Sequence, residues 1–313
     1  MSFNVSSLTA YVSENAKEMM TNIVAGANTF EGGFVRIEDG IKGGSSKRMH
    51  FYDASLEYQL GACVNTTSGS TTFTEKTLAP TLFTSYDETC SEDMLSKWYS
   101  QFMKRGANQS NDDQIAQAIA DSIVAKAKRD YAVVAWQGLR STANDMATQV
   151  AGWLYKLINT SYSSSTFTTT ATYTSITTSN AIALVDDLIA NAPANIIGGE
   201  MHLKLSRAYF NTLKVALRNA NFANFGAQDS PDSFVLPGYN NITVVADDGL
   251  AAAKSIVLTV PNNLVLACDL MSDADDLTID FVDNRKDKVF TRFKLAIGTE
   301  VAFPSNVGIV TML

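Results

Sequence analysis

Between Ser110 and Gly138 the chain runs NDDQIAQAIADSIVAKAKRDYAVVAWQ, and no other stretch constrains the fold as strongly. Ile115, Ile119 and Ile123 stand four apart, and Ala127, Tyr131 and Val134 continue the stripe. That spacing gathers the apolar side chains on one face of a helix. Ser110 and Asn111 suit the N-cap, Asp112 and Asp113 lie where the helix dipole favours anions, and Lys126, Lys128 and Arg129 fall toward its negative end. Gly138 is a stop signal. At the usual rise per residue the helix reaches about 40 Å. A rod of that length, in a chain otherwise rich in short β-like segments, predicts a spine on which other elements lean.

The 313 residues are 46% hydrophobic and 18% charged, which predicts a folded chain with a sizeable core, as one large domain or two ordinary ones. The net charge of −8 argues against a dedicated nucleic-acid surface, because phosphate contacts need clustered Lys and Arg. An acidic shell can still enclose nucleic acid without binding it. No run approaches the ~18 apolar residues of a membrane span, so no membrane partner is expected. The opening MSFNVSSLTAYVSENAK lacks the regions of a secretory signal. Cys63, Cys90 and Cys268 are too few and too scattered for a disulfide framework, and a cytoplasmic origin is the expectation.

In chain order, residues 6 to 25 form an amphipathic helix with Leu8, Tyr11, Val12, Met19 and Ile23 on one side. A short strand follows at residues 34–39, then a glycine-rich loop from Gly40 to Ser46. From Lys47 to Ser91 the alternation in LEYQL and in part of the run Lys76–Ser85, around the polar stretch Asn65–Thr72, predicts a long β-hairpin. Few large apolar residues sit on it, so it leans on something other than its own core; an ordinary surface hairpin is the alternative. Glu92–Phe102 and Ala147–Ile158 read as helical, and the Ser/Thr-rich run Asn159–Ser179 reads as an exposed linker at a domain boundary. Beyond it the pattern is α/β-like. Ser179 and Ser206 cap helices, and strands are predicted at Met201–Leu205, Ile242–Ala246, Ile256–Val260, Leu264–Ala267, Leu277–Val282, Phe290–Ile297 and Val307–Met312.

No catalytic constellation emerges. His50 and His202 have no metal-ligating residues at the required spacing. Asp273, Asp275, Asp276 and Asp280 lack the central glycine and closing Glu of a calcium loop, and read as a solvated acidic turn. Gly43-Gly44-Ser45-Ser46-Lys47 has part of a phosphate loop but not its spacing. Cys63 and Cys90 flank the hairpin about its tip, either facing each other or as two independent thiols. No catalytic residue, cofactor or metal site is expected.

The order of these elements, with the opening FNVSSLTAYVSENAKEMM, the stretch LAPTLFTSYDETCSEDMLSKWY and the tail from NNLVLACDLMSDADD to VGIVTML, resembles the major capsid proteins of tailed bacteriophages. The resemblance implies an α+β, Hong Kong 97-type (HK97-like) capsid fold. It implies an N-terminal arm (1–46), an extended hairpin loop (47–91), a peripheral domain (92–178) with spine helix 110–138, an axial domain (179–261), and strands returning to the peripheral domain (262–313). It further implies self-assembly as hexamers and pentamers, with portal and cement proteins as possible partners. Scaffold and any maturation protease are expected as separate chains, and a covalent Lys–Asn crosslink has no matching positions. Leu56, Tyr58, Phe73 and Leu82 are the candidate interface residues, as large apolar groups on an arm without a local core. Deleting Asn65–Thr72 is expected to leave a folded subunit that fails to assemble. Two other classes compete: a cellular compartment shell of encapsulin type, and an α/β enzyme or binding protein with residues 179–313 as ligand domain.

Overall fold

The computed structural model describes residues 5–30, 33–56, 69–90, 112–139, 149–220, 230–251, 253–269, 277–281 and 288–312. Two hydrophobic cores organise them. In the first, α1 (Val5–Ala25) and the spine helix α2 (Asp112–Gln137) pack with each other and against a sheet of β1 (Arg36–Glu38), β4 (Thr81–Cys90), β9 (Leu264–Ala267), β10 (Leu277–Phe281) and β11 (Lys288–Val301). The long strand β11 explains the arrangement. Phe293, Leu295 and Ile297 alternate into the core, where Phe83 of β4 joins them. One end of β11 pairs antiparallel with β4 and β10, the other with β9, and β1 lies parallel to β9.

The spine helix ends where Gly138 predicts. Tyr131 and Val134 of the expected stripe are buried, Ile123 and Ala127 pack against the core, and Ala120, Val124, Ala132, Ala135 and Trp136 widen the buried face. The alanines bring other backbone close. A Cβ on Gly249 would lie 2.3 Å from Trp136 Cδ1 and 2.6 Å from the Ala132 carbonyl oxygen, so only glycine fits. Trp136 and Trp153 meet edge-on at 5.0 Å between ring centroids, and Phe30 packs edge-on against Trp153 at 6.4 Å. Trp153 opens the short helix α3 (Trp153–Asn159).

The second core lies between two helices, α4 (Ala181–Ala190) and α5 (Arg207–Asn219), and a sheet in the order β12 (Val307–Thr311), β8 (Ser255–Thr259), β5 (Met201–Leu205), β7 (Ile242–Ala246), β6 (Ser233–Val235). Met201, Leu203 and Leu205 alternate toward the helices, as do Ile242, Val244, Ile256 and Leu258. Ser206 caps α5 as expected, accepting from the Tyr209 amide. The cap of α4 is Asn180 rather than Ser179.

Three expectations are corrected. Val307–Met312 does not return to the sheet of β11; after the turn at Pro304–Asn306 it pairs antiparallel with β8 in the second sheet. Its alternation explains why: Val307 and Ile309 belong to the first core and Val310 and Met312 to the second, so the strand fits between the two. The hairpin expected from Lys47 to Ser91 does not run to its end. It breaks at Ala79-Pro80, and β4 leaves the hairpin for β11. The stretch Asn159–Ser179 is more than a linker: Tyr162 donates to Glu300 Oε1 at 2.9 Å, and the backbone of Phe167 bonds to both Val307 and Ile309. The helix expected at Glu92–Phe102 and the cap residues Ser110 and Asn111 lie outside the described residues.

Where the cores meet, the second sheet turns a polar face inward. Lys204 and Asp247 are both fully buried, with Nζ 3.2 Å from Oδ2. Asp247 also accepts from Trp136 Nε1 (3.0 Å), Thr29 Oγ1 (2.5 Å) and the Gly249 amide (2.9 Å), while Lys204 donates to the Thr29 carbonyl (3.1 Å). Burial pulls the Lys204 amine below its usual range, against the opposing pull of Asp247. Four separate stretches of chain therefore converge on one charge pair.

Candidate assembly surface

The hairpin of β2 (Lys47–Leu56) and β3 (Gly69–Leu78) pairs in a single antiparallel register from Lys47↔Leu78 to Leu56↔Gly69. Because side chains alternate, its two faces have different fates. On the inner face Met49 and Leu78 bury against Ile41, Val265, Ala267 and Ala302, and Phe51 meets Phe303 edge-on at 5.2 Å. Lys76 reaches from this face to donate to the Val301 carbonyl at 2.6 Å, with its Nζ 4.3 Å above the Tyr162 ring. Burial lowers its amine to about 8; Glu300 opposes that shift and Lys156 adds to it. Burial and the Glu300 carboxylate raise the Tyr162 hydroxyl well above its usual range. At the root, Lys47 Nζ lies 2.5 Å from Glu38 Oε2, and that hydrogen bond holds the Glu38 carboxyl below its usual range.

Among the described residues the outer face has no such cover. Arg48 and His50 both lie 3.4 Å from Glu75, and the next pair along the strands is Tyr52 opposite Phe73. Tyr52 is 72% exposed and Phe73 78%. Two large aromatics side by side in water, on a two-stranded element, are a surface waiting for cover. A second exposed pair lies on the side of the first sheet away from its core: Leu82 at 50% and Tyr86 at 63%, both on β4.

Of the four residues the sequence singles out, Phe73 is thus on the arm's exposed face, with Tyr52 as the neighbour that sequence reasoning missed. The register of HFYD, alternating Phe51 inward and Tyr52 outward, is the signal that could have found it. Leu82 lies on β4 rather than on the hairpin, its Cβ so near Gly43 that a side chain there would collide. Leu56 pairs in the backbone with Gly69 at the far end of the described hairpin. Tyr58 and Cys63 lie outside the described residues. Cys90 ends β4 opposite Lys288, so it is not on the hairpin's paired strands. Cys268 is free and buried, its thiol pushed up to about 12 by burial.

Among the described residues the candidates for chemistry stay apart; Asp273, Asp275 and Asp276 lie outside them. Lys47 after the glycine loop begins a strand, not a helix, and His50 faces Glu75 across the hairpin. Among the described residues no three His, Cys, Asp or Glu side chains gather as a metal site, and no helix is long and apolar enough to cross a membrane.

No family model and no curated protein matches the sequence. Solved structures do. The capsid asymmetric unit of cyanophage A-1(L) superposes with a TM-score of 0.56 at 14% identity, over 90% of this chain and 91% of that one. The capsid of Myoviridae phage XM1 gives 0.54 at 15%, over 91% and 92%. The procapsid of satellite phage P4, determined with its size determination protein Sid, gives 0.54 at 13%, over 96% and 98%. The chain has the Hong Kong 97-type capsid fold. Near-complete coverage on both sides means that the likeness extends over both cores, not one lobe alone. At such low identity the capsid fold is shared while the side chains that line its surfaces are this chain's own.

Proposed function

We propose that this chain is the major capsid protein of a tailed phage, building hexamers and pentamers of an icosahedral shell that encloses the genome. The observation that carries the reading is the arm. Its root is anchored by Met49, Phe51, Lys76 and Leu78, whereas Tyr52 and Phe73 stand exposed beyond the root, uncovered by any of the described residues. In a closed shell each subunit repeats the same contact with its neighbour, so a patch costly for one copy in water stabilises every copy once assembled. The β2–β3 hairpin serves as the loop that reaches a neighbouring subunit. The first core, with α2 as its spine, is the peripheral part of the subunit, and the second core is the axial part. A separate scaffolding chain sets the shell size, a role for which the Sid protein in the P4 procapsid offers a parallel. Portal and cement proteins complete the partner set, and assembly takes place in the host cytoplasm. With a net charge of −8 the shell contains DNA without gripping it by sequence. The subunit carries no enzymatic role.

The test is the double variant Tyr52→Ser/Phe73→Ser, examined by negative-stain microscopy and sedimentation beside the parent, with scaffold co-expressed if the parent needs it. Shells or capsomer rings from the parent, and only free subunits of unchanged melting temperature from the variant, are expected. Normal shells from the variant would remove the arm's outer face from the assembly. A parent that stays monomeric with scaffold present and binds a metabolite would overturn the capsid reading itself.

A further inference from the structure

The described part of the segment joining α1 to β1, residues 26–30 and 33–35, crosses the inward polar face of the second sheet and is held there at two points. Thr29 is tied to Lys204 through its carbonyl and to Asp247 through its hydroxyl. Phe34 lies edge-on to the His202 ring, centroids 4.5 Å apart, and 5.3 Å from Lys204 Nζ. His202 itself is 3% exposed. Its Nε2 stands 3.6 Å from Glu200 Oε1, and its Nδ1 is buried with no hydrogen-bond partner.

We propose that this segment is an acid-sensitive strap, released from the second sheet when His202 takes up a proton. In the docked state the idle Nδ1 is tolerable only as a lone pair. A proton there makes a buried, unpaired donor on a cation, on the same strand face as the Lys204 ammonium. The charged groups acting on His202 are Glu200, which favours the proton, and Lys204, which opposes it, with Asp247 beyond Lys204. Its register neighbours are Thr243 on β7 and Thr259 on β8, and the strap presents Phe34. Burial is the largest influence and pulls the imidazole below its ordinary value. The docked strap therefore binds fewer protons than the released one, and acid favours release. With the released imidazole near its ordinary pKa of about 6.5, the opening equilibrium rises up to ~30-fold between about pH 7.5 and about pH 5.

Hydrogen–deuterium exchange on the full chain, corrected for the intrinsic pH dependence, tests this. Peptides spanning residues 26–35 should lose protection on acidification by up to ~30-fold, while peptides in β5, β7 and β8 keep theirs. His202→Phe, which retains an aromatic ring against Phe34 but cannot titrate, should be protected at both pH values. If that variant is unprotected even near neutrality, His202→Asn supplies the same comparison. A wild-type strap indifferent to pH, an equal loss of protection in the non-titrating variant, or a loss shared by the whole chain would each overturn the proposal.

Discussion

Asp247 is where a one-atom change should cost most. It is fully buried and accepts from Lys204 Nζ at 3.2 Å, Trp136 Nε1 at 3.0 Å, Thr29 Oγ1 at 2.5 Å and the Gly249 amide at 2.9 Å. Asp247→Asn keeps the shape but replaces one acceptor oxygen by a donor NH2, and in either orientation that donor faces donors. It also strands the Lys204 charge, which has no water to turn to. Removing one partner of a buried pair costs about 3–5 kcal/mol. At roughly 2–4 °C per kcal/mol for a chain of a few hundred residues, that is a fall in Tm on the order of 10 °C. The assay is urea unfolding of the unassembled subunit, followed by circular dichroism, for Asp247→Asn, Lys204→Met and the double variant. Because Lys204→Met removes the stranded charge, the double should be more stable than Asp247→Asn alone, giving a coupling of at least ~1 kcal/mol. A cost below ~1 kcal/mol for Asp247→Asn, or strictly additive losses, would show that the pair does not hold the junction.

Other perturbations follow from the same geometry. Gly249→Ala drives a methyl into Trp136 and the Ala132 carbonyl and should destabilise by about 1–3 kcal/mol; an unchanged denaturation midpoint would refute the close packing. Trp153→Phe keeps the ring packing but deprives the buried Val265 and Glu300 carbonyls of the indole N–H, at 3.2 and 3.1 Å, and should cost about 1–3 kcal/mol by the same assay. Lys76 has its folded pKa lowered to about 8, below that of the free side chain, so the unfolded chain holds more protons across the interval between them. Its unfavourable contribution is greatest below that interval and fades as pH rises through it. Wild-type stability relative to Lys76→Gln should accordingly increase between about pH 8 and about pH 10.5; a pH-independent difference in thermal melts would refute the shift. Deletion within the hairpin should spare residues 69–72 of β3, which pair with Asp53–Leu56 of β2, so the informative cut removes only residues N-terminal to Gly69.

The elements whose reasons are local were legible. The isoleucine and alanine stripe with a terminal glycine marks α2, and the Ser206 cap marks α5, because helix signals operate within a turn or two. Most strand positions in the second sheet were legible for the same reason, as short runs rich in apolar residues, but β6 was not: Phe234 and Val235 lie just before a Pro-Gly turn and read as part of it. What escaped was pairing. Lys76–Ser85 alternates across the Ala79-Pro80 break, and nothing local says that residues before it pair with β2 and those after it with β11. The destination of β12 was hidden because apolar residues on both faces fit an edge strand between two cores as well as a central strand in one. The node at Asp247 was invisible since its partners, Thr29, Trp136 and Lys204, lie far apart in the chain and each has an ordinary local role. On the arm, size and setting single out Phe73, which the structure leaves exposed, whereas Tyr52 needed the register of the opposite strand.

The places where this chain breaks the usual rules fall into two groups, and the direction of the breach separates them. Lys204, Asp247 and His202 are polar groups placed where apolar ones belong, and all face the junction of the two cores. Polar groups buried there gain little net stability over apolar packing, but they penalise any other way of joining the lobes, since each mis-docking leaves a charge unpaired. Tyr52 and Phe73 break the rule in the opposite sense, as apolar groups placed in water. The hairpin cannot turn them inward without giving up its inner face, which is already committed to Phe303 and the Val301 carbonyl. An inward breach fixes how one subunit is put together. An outward breach on an anchored arm is relieved by burial against another molecule, which on the reading proposed above is the next copy of the same subunit.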